Sequence, residues 1–465
     1  MLLTVDIGTS SLKSALWDYE GNRLSFASVP LAVDLNDGNK HETDCTQWLR
    51  SFESSCAKLG ELRSVEAIVI SGNGPTLVPV TGEPSGFSVP SMNARLWLDR
   101  RAQGFQQQVS NITGGFVDSS FFLPKILFIK NEENDFYRKV KYFLGCPEYL
   151  AFALTGQACS VFPSKGFDRW FWNDDVLEKL KLDKEKFPPF IKPGDQFGTI
   201  TSSASDHLGF KKNIPVVSGG PDFFAAITGA GVTQPSQAVD RTGSSEGINL
   251  CTEYCIKNDK LMSYGHPVKP YWNLSGTINT TGRAVQWACD LLGISGVQEF
   301  YFIAEKSKPG SGGLVFLPYL AGERAPLWNP DIRASVHGLS LSSDKCDLAN
   351  SILEGIAFAV MDVISVMEET GETVSSLRVT GGMAKNQYFN QIKADITGKE
   401  ILEGFYKETE LLGLAIIGSC FLGKYSSYKE AADKMVRIKR HFLPNLKNSD
   451  FYNELFSEYV KKRSV

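Results

Sequence analysis

The sequence predicts an α/β fold made of two related lobes around a cleft, and three observations carry that reading. Short apolar runs that fit buried strands alternate with stretches of helical periodicity. The run at 2–7 leads into Gly8-Thr9-Ser10-Ser11, and the theme returns where 238–242 leads into Thr242-Gly243-Ser244-Ser245. Between them, the run at 214–217 is followed by Ser218-Gly219-Gly220-Pro221-Asp222 and a small-residue helix pattern that ends at Gly229 and Gly231. A strand followed by a Gly/Thr/Ser turn in each half suggests a duplicated unit. The boundary is expected near residues 245–255, which divides the chain into 1–247 and 248–465.

Taken in order, 2–7, 14–17 and 24–29 read as strands, with Tyr19-Glu20-Gly21-Asn22 as the turn between the last two. A helix is expected to begin near Asp44, with Gln47 completing a capping-box-like pair and Trp48, Phe52, Cys56 and Leu59 on one face. The run at 67–70 is a buried strand returning beside the first three. Pro147 and Gly156 mark the start and stop of a further helix. The segment 160–201 has weak periodicity and many turn residues, so it predicts no defined element. Later come a helix with Gly282 and Trp287, a loop at 318–326, a long helix at 347–369, a strand at 377–380 running into Gly381-Gly382, and a core helix at 411–422.

The 465 residues carry a formal net charge of -4, which makes no electrostatic case for nucleic acid or an anionic membrane as partner. The start, MLLTVDIGTSSLK, lacks a basic region followed by a long apolar core, so no secretory signal is expected. The run at 411–422 is too short to cross a bilayer. Nine cysteines without metal-like spacing (Cys251-x-x-x-Cys255 is the closest) point to reduced thiols in a cytoplasmic protein.

The chemistry concentrates in a few loops. Asp222 is a lone acid between a strand end and a helix start, where open α/β sheets bind ligands, although aspartate is also a favoured helix cap. Glycine allows close approach of the backbone to a ligand, and hydroxyls and N–H groups suit phosphate oxygens. Gly8, Thr9, Ser10 and Ser11, and likewise Gly243, Ser244 and Ser245, therefore read as phosphate turns, although ordinary turns use the same residues. Asp6 is placed to hold a magnesium ion through water, and Lys13 and Arg241 are cations within reach of a phosphate. Neither a Walker-type loop nor a G-x-G-x-x-G after a strand occurs, so a nucleotide here requires a two-turn clamp.

With these motifs in place, the chain resembles the FGGY carbohydrate kinases, relatives of actin and hexokinase, along nearly its whole length. Asp6-x-Gly8-Thr9 resembles the family's first phosphate motif and Gly243-Ser244-Ser245 its second; Trp97-Leu98-Asp99-Arg100-Arg101 resembles its W-x-D-x-R element. Gly219-Gly220-Pro221-Asp222 resembles the segment that carries the catalytic aspartate. The long C-terminal signature reads Ala334-x-Val336-x-Gly338-Leu339, then Asp347-Leu348-x-x-Ser351-Ile352-Leu353-Glu354-Gly355. Tyr319-x-x-Gly322-Glu323-Arg324-x-Pro326 is a further family-like loop. Gly381-Gly382-x-x-x-Asn386 is similar to the adenosine-binding element. Lys125-Ile126-Leu127-Phe128 matches the N-terminal signature loosely. Gly72-Asn73-Gly74-Pro75-Thr76 and Phe223 depart from the residues usual in family members that act on xylulose or glycerol.

The resemblance implies a two-lobed, ribonuclease H-like ATPase fold and ATP- and magnesium-dependent phosphorylation of a small sugar or polyol. The expected substrate is a ketopentose such as xylulose, with glycerol, ribulose or a hexulose as runner-up, and a catalytically inactive nucleotide-binding regulator as the rival. Asp222 is implied as the base. Asn73, Trp97, Asp99, Arg101 and Phe223 are candidates for the sugar site, and Asp6 for the metal. The nucleotide candidates are the two phosphate turns, Lys13, Gly381, Gly382 and Asn386. Closure of the lobes about a hinge near 245–255 would exclude water. The expected partners are the sugar and ATP, with a homodimer left open and neither nucleic acid nor a membrane.

Overall fold

The computed structural model describes residues 1–33 and 38–463. It divides into two units, Met1–Gly231 with Thr409–Met435, and Val232–Glu408 with Val436–Val465.

In the first unit, β1 (Leu2–Ile7), β2 (Ser11–Trp17) and β3 (Arg23–Pro30) form an antiparallel meander. Helix α1 (Thr46–Leu59) crosses to β4 (Ala67–Gly72), which lies parallel to β1. Trp48, Leu49, Phe52, Cys56 and Leu59 form the buried face of α1. Each large side chain so buried contributes roughly 1.5–3 kcal/mol. The capping box expected here does not form. Asp44 accepts from the Thr46 N–H, while Gln47 turns away to pair with the backbone of Ala32. Helix α2 (Cys146–Thr155) has Pro147 in its first turn and ends at left-handed Gly156. The unit continues with β5 (Gln196–Thr199), β6 (Pro215–Pro221) and α3 (Asp222–Gly229), giving the sheet order β5-β6-β4-β1-β2-β3.

The second unit repeats the pattern. Strands β7 (Gln237–Thr242), β8 (Glu246–Thr252), β9 (Met262–Gly265) and β10 (Trp272–Ile278) precede α4 (Gly282–Leu292) and the core helix α5 (Lys345–Glu369). Then come β11 (Ser376–Gly381), α6 (Gln387–Thr397) and β12 (Glu400–Gly404). Helix α7 (Thr409–Phe421) returns to the first unit before β13 (Ile438–Phe442) completes the second sheet. That sheet runs β9-β10-β8-β7-β11-β12-β13. Apart from the added β9, the parallel or antiparallel sense of every neighbour matches the first sheet, and the order differs only at one edge, where β13 follows its neighbour β12 in the chain but β5 precedes its neighbour β6. The duplication faint in the sequence is therefore plain in the topology.

The expected boundary at 247/248 differs from the observed one. Strand β7 pairs with both β8 and β11, so the whole strand–turn–strand from 237 to 252 belongs to one sheet. Residues 246–252 are consequently a strand within the second sheet rather than a hinge, and the chain passes between units after 231, 408 and 435. Helix α5 is long and apolar enough to cross a membrane by length and composition, but 89% of its most apolar window is buried inside the protein, as in a core helix.

Candidate active site

In the first unit the candidate residues gather at the carboxyl ends of three neighbouring strands. Ile7 pairs with Gly72, and Gly72 with Pro221. Strands lie about 4.8 Å apart, so the residues that follow, Gly8, Asn73 and Asp222, project from one edge of the sheet. Asp222 is the first residue of α3, directly after β6, as expected. The cap position belongs to Pro221, which makes no side-chain cap bond, so Asp222 is not the cap. A negative side chain here also meets the positive end of the helix dipole. Helix α3 is held against α7 at backbone contact. A Cβ on Gly229 would lie 1.8 Å from the Thr409 carbonyl oxygen, and one on Gly413 would lie 1.9 Å from that of Ala225.

The turn after β1 closes with the Gly8 N–H donating to the Ser11 carbonyl at 3.0 Å, and a Cβ on Gly8 would meet that oxygen at 2.9 Å. Asp6 is 7% exposed and is flanked in register by Lys13 on β2 and Ser71 on β4. Directly opposed residues share a sheet face, so Asp6 and Lys13 are neighbours. Cys146 lies behind this row and donates its thiol to the Asn73 carbonyl at 3.1 Å. Burial, then the charges of Glu148, Asp6 and Asp222, push that thiol well above the ordinary range, which makes it unreactive.

Several predicted sugar ligands have partners within the unit. Asn73 donates its amide to the Ile7 carbonyl at 2.9 Å and accepts from the Thr76 hydroxyl, so it ties its turn to the end of β1. The Trp97 indole Nε1–H donates to Thr9 Oγ1 at 3.0 Å. Asp99 is 1% exposed and accepts from the His41 N–H and from the backbone and guanidinium of Arg101, which also reaches Glu42 at 2.6 Å. Burial alone would raise the Asp99 carboxyl, but the Arg101 and His41 donors hold it below the usual carboxylate range. Phe223 stacks on Phe167 at 6.1 Å and contacts Phe224 at 4.9 Å. Phe167 continues to Trp170, and Trp170 to Phe121. An aromatic cluster therefore adjoins Asp222.

The second unit places Gly243-Ser244-Ser245 between β7 and β8, the position that Gly8-Thr9-Ser10 holds between β1 and β2. Gly243 N–H donates to the Ser245 carbonyl at 2.8 Å. Gly381, at φ 92°, ends β11 so close to β7 that a Cβ would lie 1.9 Å from the Thr242 carbonyl oxygen. The Gly382 N–H donates to that oxygen at 2.9 Å, which brings the expected adenosine element against the second turn. Asn386 caps α6 by accepting from the Phe389 N–H at 2.9 Å.

Sequence reasoning gave no role to Lys125 and did not single out Lys393, and both lysines are buried. Lys125 donates to the carbonyls of Pro75 (2.8 Å) and Leu96 (2.7 Å), fixing the turn after Asn73 and the residue before Trp97. Lys393 lies inside α6, and its signal was a lysine set among Phe389, Ile392 and Ile396 on an apolar stripe.

The residues present suit phosphate. A Cβ would lie 2.9 Å from the Ser11 carbonyl at Gly8 and a tight 3.2 Å from the Ser245 carbonyl at Gly243, and Asp6 offers one carboxylate beside a turn. Among the described residues no group of three or more His, Cys, Asp and Glu could hold a metal by itself. The Asp6 carboxylate is the kind of hard oxygen donor that magnesium takes beside water and phosphate oxygens.

Comparison with known proteins bears on the family and the fold. The model for the N-terminal domain of the FGGY family of carbohydrate kinases matches residues 1–229, and that for the C-terminal domain matches 242–421. A xylulose kinase of Staphylococcus epidermidis is 27% identical over 99% of this chain and 95% of its own. A gluconokinase of Bacillus subtilis is 25% identical over 95% of this chain and 91% of its own. Among solved structures, a ligand-bound xylulose kinase from Lactobacillus acidophilus superposes with a TM-score of 0.86 at 23% identity, covering 100% of this chain and 98% of that one. Plasmodium falciparum glycerol kinase with ADP gives 0.85 at 20% identity, covering 100% and 98%.

Proposed function

Because the chain belongs to the FGGY family of carbohydrate kinases, we propose that it phosphorylates a hydroxyl of a ketopentose such as xylulose, with Asp222 as general base. The observation that carries the reading is the placement of Asp222 at the junction of β6 and α3, in the row of strand ends that also presents Gly8. ATP would supply the γ-phosphoryl group, and a magnesium ion would supply positive charge against its oxygens.

The protein's share of phosphoryl transfer is positioning, electrostatics and movement of one proton. Asp222 accepts the proton of the attacking hydroxyl as the new O–P bond forms. Asp6 is the residue that would hold a magnesium ion, and Lys13 adds positive charge on the same sheet face. Gly8–Ser11 and Gly243–Ser245 hold the phosphates, and Gly381, Gly382 and Asn386 shape the adenosine side. Trp97 offers an apolar ring to sugar C–H groups. Asn73, Asp99, Arg101 and Phe223 frame that pocket, the first three largely through the internal bonds described above. A cytoplasmic location, where ATP is available, goes with this reading.

The substrate follows the relatives named xylulose kinase, and a relative named gluconokinase keeps a sugar acid as the second reading. The test is a coupled ADP assay with xylulose, ribulose, hexuloses, gluconate and glycerol. The expected result is the highest kcat/KM with xylulose. A higher value for another compound reassigns the substrate, and ATP binding without turnover on any of them would make the chain a non-catalytic nucleotide-binding regulator.

A further inference from the structure

We propose that Lys393 is a positioning residue for the second nucleotide turn, locking the strand ends that carry Gly243-Ser244-Ser245 to the helix that follows Gly381-Gly382. The inference rests on the kinase reading of those loops.

The Lys393 ammonium, on α6, pairs with Asp240 on β7 and with Glu246, the first residue of β8, and all three side chains are wholly buried. Thr242 and Glu246 are the last register pair before the turn, and Asp240 lies two residues upstream of Thr242. Alternation along the strands puts Asp240, Thr242 and Glu246 on one sheet face. One lysine therefore grips both arms of the hairpin. Thr242 joins the same assembly, since its hydroxyl donates to the Thr380 carbonyl at 2.9 Å and accepts from the Ala384 N–H at 3.2 Å. Lys393 thus holds both arms of the hairpin through its two acids, and at the same strand end Thr242 bonds the residues on either side of Gly381-Gly382.

Stability alone does not explain such a cluster. Buried ion groups are often matched or exceeded in stability by apolar side chains of the same volume, whereas loss of one partner costs several kcal/mol. What charged groups add is a single permitted geometry. Burial works against the Lys393 charge, but Asp240 and Glu246 outweigh it and hold the ammonium above its usual range.

Lys393→Met alone would strand two buried acids, so the main test is the triple variant Asp240→Asn/Glu246→Gln/Lys393→Met, with Asp240→Asn as a milder second. Thermal melts report folding, calorimetry the ATP affinity, and amide exchange the mobility of 242–246. The expected result is a folded triple variant with ATP affinity reduced about tenfold or more, faster exchange in the turn, and a sugar KM within about twofold of wild type. Asp240→Asn should fall between. Wild-type ATP affinity, or unchanged exchange in the turn, in either folded variant overturns the inference alone. A wild-type chain that binds no ATP overturns the kinase reading and this inference with it.

Discussion

Trp97 and Thr9 are joined by a 3.0 Å hydrogen bond from indole nitrogen to hydroxyl oxygen, which links a loop assigned to the sugar with the first phosphate turn. Both residues are half-buried, so water can replace the bond and its loss should cost stability only about 1 kcal/mol. The effect belongs in catalysis. Trp97→Phe and Thr9→Val should each raise the KM for ATP several-fold, and the double variant should be no worse than the poorer single. A double-mutant cycle checks this; strictly additive losses would mean that the two residues act independently.

Asp222→Asn tests the proton step. The amide keeps the shape and loses the basicity, so turnover should fall by about two to four orders of magnitude while ATP affinity stays within a few-fold of wild type. Stopped assays with calorimetry on the same preparation separate the two quantities. Near-normal turnover would remove Asp222 from its role.

How much of this was legible in the residues differs from place to place. Strand 2–7 and the two turns were readable because a strand-like run ending in a glycine followed by Ser or Thr residues carries both its period and its stop signal. Asp222 was placed correctly at a strand end for the same reason. Segment 160–201 was opaque because rings hold it together. Phe162, Phe171, Trp172, Phe187 and Phe190 pack on one another without helical or strand spacing. The unit boundary was misplaced because the return of α7 to the first unit is a long-range event that no local pattern records. Asp99 and Arg101 are candidates for the sugar site because their types suit hydroxyls, and their mutual pairing appears only in three dimensions.

Gly413 is a packing prediction with a catalytic consequence. Its absent Cβ lets α7 touch α3, the helix that begins at Asp222. Gly413→Ala must force the two backbones apart, which should cost about 3 kcal/mol or more and shift the start of α3. A lowered melting temperature is expected, together with a reduced kcat in whatever fraction folds. An unchanged melting temperature would show that the helices slide apart freely.

Glu148 and His266 set opposite pH limits. Burial pushes the Glu148 carboxyl up to about 7, while the Val161 N–H partly compensates at 3.1 Å. The folded chain then holds a proton that the unfolded chain has released, so the contribution is full below about 4.5 and is lost as pH rises towards 7, up to roughly 3 kcal/mol. His266 runs the other way. Burial pushes its imidazole down to about 3, with Nδ1 accepting from the Val268 N–H at 3.0 Å. The unfolded chain takes up that proton first, so stability is present above about 6.5 and is lost as pH falls towards 3. Unfolding midpoints in denaturant between pH 4 and 8 should therefore show Glu148→Gln flattening the decline towards neutrality and His266→Asn flattening the acid limb. The two variants act in different units, so each should leave the other limb as in the wild type. If Glu148→Gln leaves the decline between pH 5 and 7 intact, its carboxyl is ionised in the folded state and the burial argument fails.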